Sequence, residues 1–527
     1  MIRHGTWRLA RRAGGALAVP RVQSLHEGRA VLDVSLGERD HVIQVFGANT
    51  DVGKTVITAG LLRAAALQGL RASYIKPVQA GSPSDAVFVS RHANVGAAAA
   101  AAASGKPGGV APPLCRTSTL FDYTDPVSPH LAAERDGGKI ASDTEIVEAI
   151  VDEVKAILSS GGGGGSGGAD DEEAEGDAGS PTTPQPSSSS SSSSSGSLVL
   201  VEAAGGVLSP APSGSLQADT FRPMRLPVLL VGDGKLGGIG ATLSALESLR
   251  TRGYSVLGIA LLAQDEHLGN ADAVSRHAGP IPVFELPTLP PPDVPLEPWY
   301  DDDATAQGFQ TLLGGLSERR VAEAARLAGM KARGHRALWW PFTQHDQLSE
   351  GKVNLLDSAY GDYYCVADVD EGGGKGETRV SHRALVDACA SWWTQGAGHG
   401  NPGMALAVAE AAGRYGHVIF PGNIHAPALE VKIPLSLGRG WSSSRVFFTD
   451  NGSTAKPEER PSRWACAVLE GPLRAIGTPV QNASLGGRAG GVLPRGHPWR
   501  HECGRPVCFQ PRAARVVPGE GALLRNA

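Results

Sequence analysis

The stretch GANTDVGKT, Gly47 to Thr55, follows the apolar run HVIQVF at 41–46 and leads into a helix-forming segment, TVITAGLLRAAALQ at 55–68. A strand, a glycine-rich turn, Lys-Thr and a helix form the context in which a phosphate-binding loop is expected. Backbone N–H groups of such a loop, and of the helix N-terminus behind it, attract phosphate oxygens. Lys54 is then placed to neutralise the outer phosphates, and the Thr55 hydroxyl to ligate Mg²⁺. The spacing is unusual. The common pattern places four residues between its glycines, whereas Gly47 and Gly53 are separated by five. A damaged site, a chance strand–helix turn and a variant loop are all open at this point.

Composition narrows the field. A chain of 527 residues has room for two or three domains. Its 41% hydrophobic content can fill cores, while 69 Gly and 37 Pro mark long loops. A net charge of −5 leaves no basic footprint for nucleic acid. No apolar run approaches the roughly 18 residues that a membrane helix needs, so no membrane partner is expected. Six cysteines in so long a chain do not form a secreted disulfide framework, and a reducing compartment is expected. Arg3, Arg8, Arg11, Arg12 and Arg21 all precede the first acidic residue, Glu27. That arginine-rich, acid-poor opening reads as a presequence over 1–36. Mitochondrial import is favoured because Arg dominates and Ser is scarce.

Beyond it, apolar runs alternate with helical patterns. Strands are expected at 41–46, 72–75, 198–203, 227–233 and 255–262, and helices at 55–68, 143–158 and 238–250, with Ser142 or Asp143 as the cap of the second. Strands with so few polar residues are covered on both faces. The class is α/β, a doubly wound parallel sheet of the phosphate-loop NTPase type. The alanine run at 97–103 is expected to be a loop expansion. Residues 159–197 hold a glycine run, DDEEAE and nine consecutive serines. Such a composition cannot bury enough apolar surface to order itself, so a disordered insertion within the domain is expected. The proline-rich PTLPPPDVPLEP at 287–298 introduces a linker expected over 291–330.

Five motifs follow the loop in order: YIKPVQAG at 74–81, SPSDA at 82–86, PVSPHLAAE at 126–134, LVLVEAAGGVLSP at 198–210 and VGDGKLGG at 231–238. Together they resemble the dethiobiotin synthetase family over residues 38–290. That family carries the same five-residue spacing, so the long loop reads as the family's own form. The resemblance implies an ATP- and Mg²⁺-dependent cyclo-ligase that joins 7,8-diaminopelargonate and CO₂ through a carbamate. It implies catalytic roles for Lys76, which matches the carbamate-binding lysine, and for Lys54 and Thr50. Gly47, Asn49, Thr50, Asp51, Val52, Gly53, Lys54, Thr55, Gly205 and Gly206 match residues that line the nucleotide or substrate. Thr55, Asp85 and Glu202 match the metal-binding set, and Ser128, Pro129 and His130 a segment near the substrate. A homodimer is implied as well. There are two departures. Ala80 stands where relatives carry a hydroxyl, which removes one hydrogen bond, and Gln264-Asp265 replaces the usual adenine-reading Asn-Asp.

Further on, WWPFTQ at 339–344, DACASWWTQGAGHGNP at 387–402, GHVIFPGNIHAPALE at 416–430 and RVFFTDNGSTA at 445–455 resemble the opening of diaminopelargonate aminotransferase, a fold type I pyridoxal phosphate enzyme. The likeness covers residues 331–455. It implies that Gly452 and Ser453 cradle pyridoxal phosphate and that Phe342, Trp392 and Trp393 line a substrate pocket. Pyridoxal chemistry also needs a Schiff-base lysine and an acidic partner for the ring nitrogen. In the family both lie beyond the match, so pyridoxal phosphate is expected to bind only if the missing half were present. Residues 456–527, with ten Arg and one Lys, are expected to form an irregular tail. A fusion with the synthetase first is the eukaryotic, mitochondrial arrangement. Two other classes are weighed against this reading. Partitioning-type ATPases, which switch with nucleotide, carry an early loop lysine where Ala48-Asn49 stand, and lack the KPV and VEAAGG pair. A broken bifunctional scaffold would bind ATP without turnover.

Overall fold

The computed structural model describes residues 36–37, 39–103, 115–138, 140–160, 196–264, 267–341, 343–344, 348–370, 378–418, 422–427, 429, 445–449 and 464–468. Seven strands, β1 (His41–Gly47), β2 (Arg71–Ala80), β3 (Cys115–Tyr123), β4 (Ser197–Gly206), β5 (Val228–Val231), β6 (Val256–Leu262) and β7 (Val283–Leu286), form one sheet in the order β3-β2-β4-β1-β5-β6-β7. Every pairing in it is parallel. Parallel sheets require cover on both faces, and the strand sequences comply. β1, β5 and β6 are buried at every position.

Helices α1 (Lys54–Leu67) and α2 (Asp85–Ala103) cover one face. On the other lie α3 (Pro129–Asp136), α4 (Asp143–Ser159), a short α5 (Gln217–Thr220), α6 (Gly238–Thr251) and α7 (Asn270–Ala278). Alternate residues of β1 divide between the two cores: Val42 and Phe46 join the α4/α6/α7 side, Ile43 and Val45 the α1/α2 side. This is the expected doubly wound α/β architecture. Helix α4 opens on a complete capping box: Ser142 accepts from the Glu145 N–H, and the Glu145 carboxylate accepts from the Ser142 N–H.

Four expectations need correction. The alanine run 97–103 continues α2 and is not a loop, in keeping with the high helix propensity of alanine. The segment 291–330 is not an extended linker: α8 (Glu297–Asp301) and the 26-residue α9 (Asp303–Ala328) occupy it. Asp302 caps α9, accepting from the N–H groups of Ala304 and Thr305. Phe309, Leu312, Leu313 and Leu316, at i, i+3, i+4 and i+7, then enter the α1-side core. Residue 36 does not belong with a detached presequence, because Leu36 exchanges both backbone hydrogen bonds with Val380 at 3.0 Å. Within the expected irregular tail, β12 (Trp464–Val468) pairs in parallel with β11 (Arg445–Thr449). Residues 1–35, 161–195 of the insertion and 469–527 lie outside the described residues.

After α9 come α10 (Met330–Ala337) and an antiparallel sheet of β8 (Leu355–Tyr360), β9 (Tyr363–Asp370) and β10 (Arg379–Val386), then α11 (Ala390–Trp393) and α12 (Pro402–Tyr415). The sheet is fastened to the first region by Arg225. Its Nε lies 2.7 Å from Asp357 Oδ2 and 2.7 Å from Ser358 Oγ, and its backbone is left-handed, with φ 62°.

His41 gives the fold a pH dependence. It is buried at the start of β1, with Nε2 3.2 Å from Ser317 Oγ on α9 and Nδ1 without a partner. Burial first, then the charge of Arg320, lowers its pKa to about 4. The unfolded chain therefore binds the proton more readily, and stability is lost as pH falls from about 6.5 to about 4. The loss is about 3 kcal/mol at the lower end. Urea unfolding of His41→Gln across this window is expected to show a shallower acid limb. An unchanged limb would remove His41 from the account.

Candidate nucleotide and amine site

The site lies where the carboxyl ends of β1, β2, β4 and β5 open toward solvent, the usual place for ligands in such sheets. It is a cleft of about 760 Å³ whose lining includes Thr50 to Thr55, Lys76, Ala80, Asp85, Glu202, Gly205, Asp233 and Lys235. The loop after β1 turns sharply into α1, and two glycines show why. At Gly53 φ is +87°, and an added Cβ would sit 2.2 Å from the Leu262 side chain. At Gly47 an added Cβ would sit 2.7 Å from the Asn49 carbonyl and 2.9 Å from Lys54. Asp51, within the loop, has φ +55°, a conformation that Asp tolerates better than most residues. Lys54 folds back and donates to the Asn49 carbonyl at 3.3 Å. Burial, the largest influence, lowers its pKa, and Lys76 adds to the lowering while Glu202 opposes it.

The charged centre is built by two adjacent strands and one helix start. Lys76 on β2 is 3% exposed and Glu202 on β4 is 0% exposed. The Lys76 ammonium donates to Glu202 Oε1 at 3.0 Å and lies 2.5 Å from Asp85 Oδ2, at the first residue of α2. Thr55 Oγ1 donates to the same Glu202 oxygen at 3.0 Å. Burial alone would lower the Lys76 pKa; the charges of Glu202 and Asp85 outweigh it, and the net shift is upward. The ammonium stays charged at any ordinary pH. Glu202 Oε2 is buried without a hydrogen-bond partner. A hydroxyl and two carboxylates converging here, one with a vacant buried oxygen, fit the oxygen donor set that Mg²⁺ prefers.

Among the residues expected from sequence, Thr50, Asp51, Val52, Gly53, Lys54, Thr55, Lys76, Asp85, Glu202 and Gly205 all border this cleft. Gly47, Asn49 and Gly206 stand behind it in the loop and turn backbone; a Cβ added at Gly206 would sit 3.3 Å from the Ala48 carbonyl oxygen, a tight contact. Ser128 and Pro129 reach the cleft wall, whereas His130 is occupied with Ser128 Oγ at 3.1 Å and does not.

Residues 41–173 and 178–293 match a family described as an AAA domain. Over 251 residues the chain is 32% identical to the ATP-dependent dethiobiotin synthetase BioD of Rhodopseudomonas palustris, a match covering 48% of this chain and 89% of that protein. The chain belongs to the dethiobiotin synthetase family. A longer match, 36% identity over 432 residues, joins it to the bifunctional dethiobiotin synthetase/adenosylmethionine-8-amino-7-oxononanoate aminotransferase of Emericella nidulans, covering 78% of this chain and 47% of that one. The mitochondrial bifunctional dethiobiotin synthetase/7,8-diamino-pelargonic acid aminotransferase of Oryza sativa is 36% identical over 458 residues, covering 78% of this chain and 50% of its own length. The chain thus spans about half the length of these bifunctional synthetases.

Several residues of the synthetase cleft carry no sequence signal of their role. Asp233 and Lys235 follow β5; the Lys235 ammonium reaches the Asp51 carbonyl at 3.5 Å, and Asn270 Nδ2 donates to both of their carbonyls. Their motif, VGDGKLGG, is visible, but nothing in its spacing says that the lysine crosses to the loop. Gln79 holds the turn after β2, donating to the Gly81 carbonyl and accepting from the Asp85 N–H that starts α2. In the second region Asp387 is a hub: Tyr364 OH at 2.8 Å, His399 Nε2 at 2.8 Å and the Ser391 N–H at 2.6 Å all bond its Oδ2. Burial would raise the Asp387 pKa, and these donors outweigh it and hold the carboxyl well below its usual range. The hub fixes Ala390 and Ser391, both at φ 46°, just ahead of Trp392 and Trp393. The side chains of those tryptophans, and Phe342, Gly452, Ser453 and Asp265, lie outside the described residues, so the pyridoxal phosphate expectation rests on sequence resemblance.

Proposed function

We propose that the chain closes the ureido ring of dethiobiotin from 7,8-diaminopelargonate and CO₂ at the expense of ATP. The observation that carries this is the Lys76 ammonium, buried between Asp85 and Glu202 in the same cleft as the phosphate loop. One amine of the substrate adds to CO₂ and releases a proton, giving a carbamate anion. Lys76 supplies the charge that holds this anion beside the loop. Lys54 and the loop N–H groups, with Thr50 at the cleft edge, orient the triphosphate so that a carbamate oxygen attacks the γ-phosphorus in line and ADP leaves. The second amine then attacks the carbonyl of the mixed anhydride, expelling phosphate and closing the ring. Mg²⁺, when bound, neutralises phosphate charge, with Thr55, Asp85 and Glu202 as the residues to hold it. Gly205, at φ +73°, and Gly206 let the backbone approach the substrate closely.

The proposal extends to a homodimer, which only the family resemblance implies, and to a mitochondrial location, supported by the arginine-rich residues 1–26 and by the plant relatives named mitochondrial.

The test is incubation of the full chain with ATP, Mg²⁺, bicarbonate and 7,8-diaminopelargonate, with dethiobiotin followed by mass spectrometry. Product formed one-for-one with ADP is the expected result. A chain that binds ATP but forms no product refutes the proposal. Ala80 borders the cleft where a hydroxyl is expected. Ala80→Ser is expected to tighten the diamine KM several-fold, the equivalent of about 1 kcal/mol for one added hydrogen bond. An unchanged KM would show that this wall does not touch the diamine.

A further inference from the structure

Tyr74 is among the largest fully buried side chains of the molecule, and its hydroxyl has no hydrogen-bond partner. A phenylalanine would fill the same space without burying an unsatisfied hydroxyl, a cost that proteins normally avoid. The position of Tyr74 offers a reason. It stands on β2 two residues before Lys76, so both side chains leave the same face of the sheet. On β4, Tyr74 is in register with Leu200, and Glu202 follows two residues later on that same face. Tyr74 and Glu202 are diagonal neighbours on adjacent strands, within reach for long side chains.

Glu202 has a matching deficit. Its Oε1 is claimed by Lys76 and Thr55, while its buried Oε2 accepts nothing. One unused donor and one unused acceptor thus stand side by side beneath the charged centre. A phenol hydroxyl has a proton to give and a carboxylate oxygen can only accept, so the direction of any bond between them is fixed.

We propose that Tyr74 is a positioning residue that donates to Glu202 Oε2 once a divalent cation and nucleotide are bound, fixing the rotation of the carboxylate that faces the metal. This rests on the metal-binding role proposed above for Glu202. Donors behind a metal-bound carboxylate set both its orientation and the affinity of the site, and their loss typically weakens metal binding about 10- to 100-fold.

The experiment compares the full chain with Tyr74→Phe, using Mn²⁺ as the probe in the presence of a non-hydrolysable ATP analogue. Free Mn²⁺ is read by electron paramagnetic resonance, so the result does not depend on ligase activity. Metal-free thermal unfolding is read in parallel. The expected result is Mn²⁺ affinity at least about tenfold weaker in Tyr74→Phe, with metal-free unfolding unchanged or shifted upward. Mn²⁺ affinity within twofold of the parent overturns the proposal. So does a variant that fails to fold or loses metal-free stability, because the hydroxyl would then serve the fold and not the site. A parent chain that binds Mn²⁺ with the analogue but makes no dethiobiotin would defeat the ligase reading and leave this comparison intact. A parent chain that binds no Mn²⁺ with the analogue defeats both.

Discussion

Lys76→Met is expected to lower kcat/KM for dethiobiotin formation by about 10²- to 10³-fold while ATP still binds. The cause is electrostatic. A charge preorganised in a dry site is worth about 10²–10³ in rate when one donor is removed, and Lys76 is the only cation that touches both Asp85 and Glu202 among the described residues. Without it, the carbamate would lose the ammonium that stands between it and the two carboxylates. The fold is expected to suffer as well. Removing one partner of a buried ion pair costs about 3–5 kcal/mol, because the remaining charge is stranded; Glu202 is at 0% exposure. Lys76→Arg is expected not to rescue, since a guanidinium is too bulky for a position 3% exposed. Steady-state kinetics by mass spectrometry and urea unfolding check the two effects. Activity within tenfold of the parent would falsify the assigned role of Lys76.

The second large effect is expected from α9. Phe309→Ala should destabilise the chain by about 3–5 kcal/mol, the usual cost of emptying a buried aromatic site. Phe309 is 2% exposed and lies over Gly60 of α1 so closely that a Cβ at Gly60 would sit 2.1 Å from its ring. It also packs against Trp299 and Tyr300 of α8, and Tyr300 OH donates to the Val56 carbonyl at the start of α1. A fragment ending at residue 290 would leave this face of α1 bare, and is expected to aggregate where one ending at 328 stays soluble. Urea midpoints for Phe309→Ala and sedimentation of the two fragments are the measurements. A fully stable fragment 36–290 would show that α9 is dispensable.

How far the sequence is legible depends on the range of the signals involved. The loop from Gly47 to Thr55, the strand positions and the Ser142 cap are local patterns, and local patterns survive translation into structure. The site residues Lys76, Asp85 and Glu202 are reached through motif order, and the structure brings Asp85 on α2 and Glu202 on β4 each within hydrogen-bond distance of Lys76 on β2. Tyr74 escapes notice because its significance lies in a cross-strand register that no single segment displays. Helix α9 is hidden for a different reason. The prolines at 287–298 draw attention as a linker signal, and three glycines, Gly308, Gly314 and Gly315, weaken the helical look of residues 303–328. Two of those glycines serve close approach: a Cβ at Gly315 would strike the ring of Phe284, and one at Gly308 would sit 3.0 Å from Leu286. Lys235 sits within a quoted motif yet has no role legible there, because reaching the Asp51 carbonyl depends on where β5 sits beside β1.

Helix α9 has a consequence for how such genes can be cut and rejoined. Its first half supplies Phe309, Leu312, Leu313 and Leu316 to the core beside α1, and its last turn supplies Leu327 to the cluster with Leu355, Ala367 and Val380 beneath the antiparallel sheet. One helix is shared by two cores. A recombination breakpoint inside it would pair a helix half adapted to one parent with a core inherited from the other. Exchanges that carry α9 and the β8–β10 sheet as a block with the strands they cover should yield working chimeras, and those that split the helix should not.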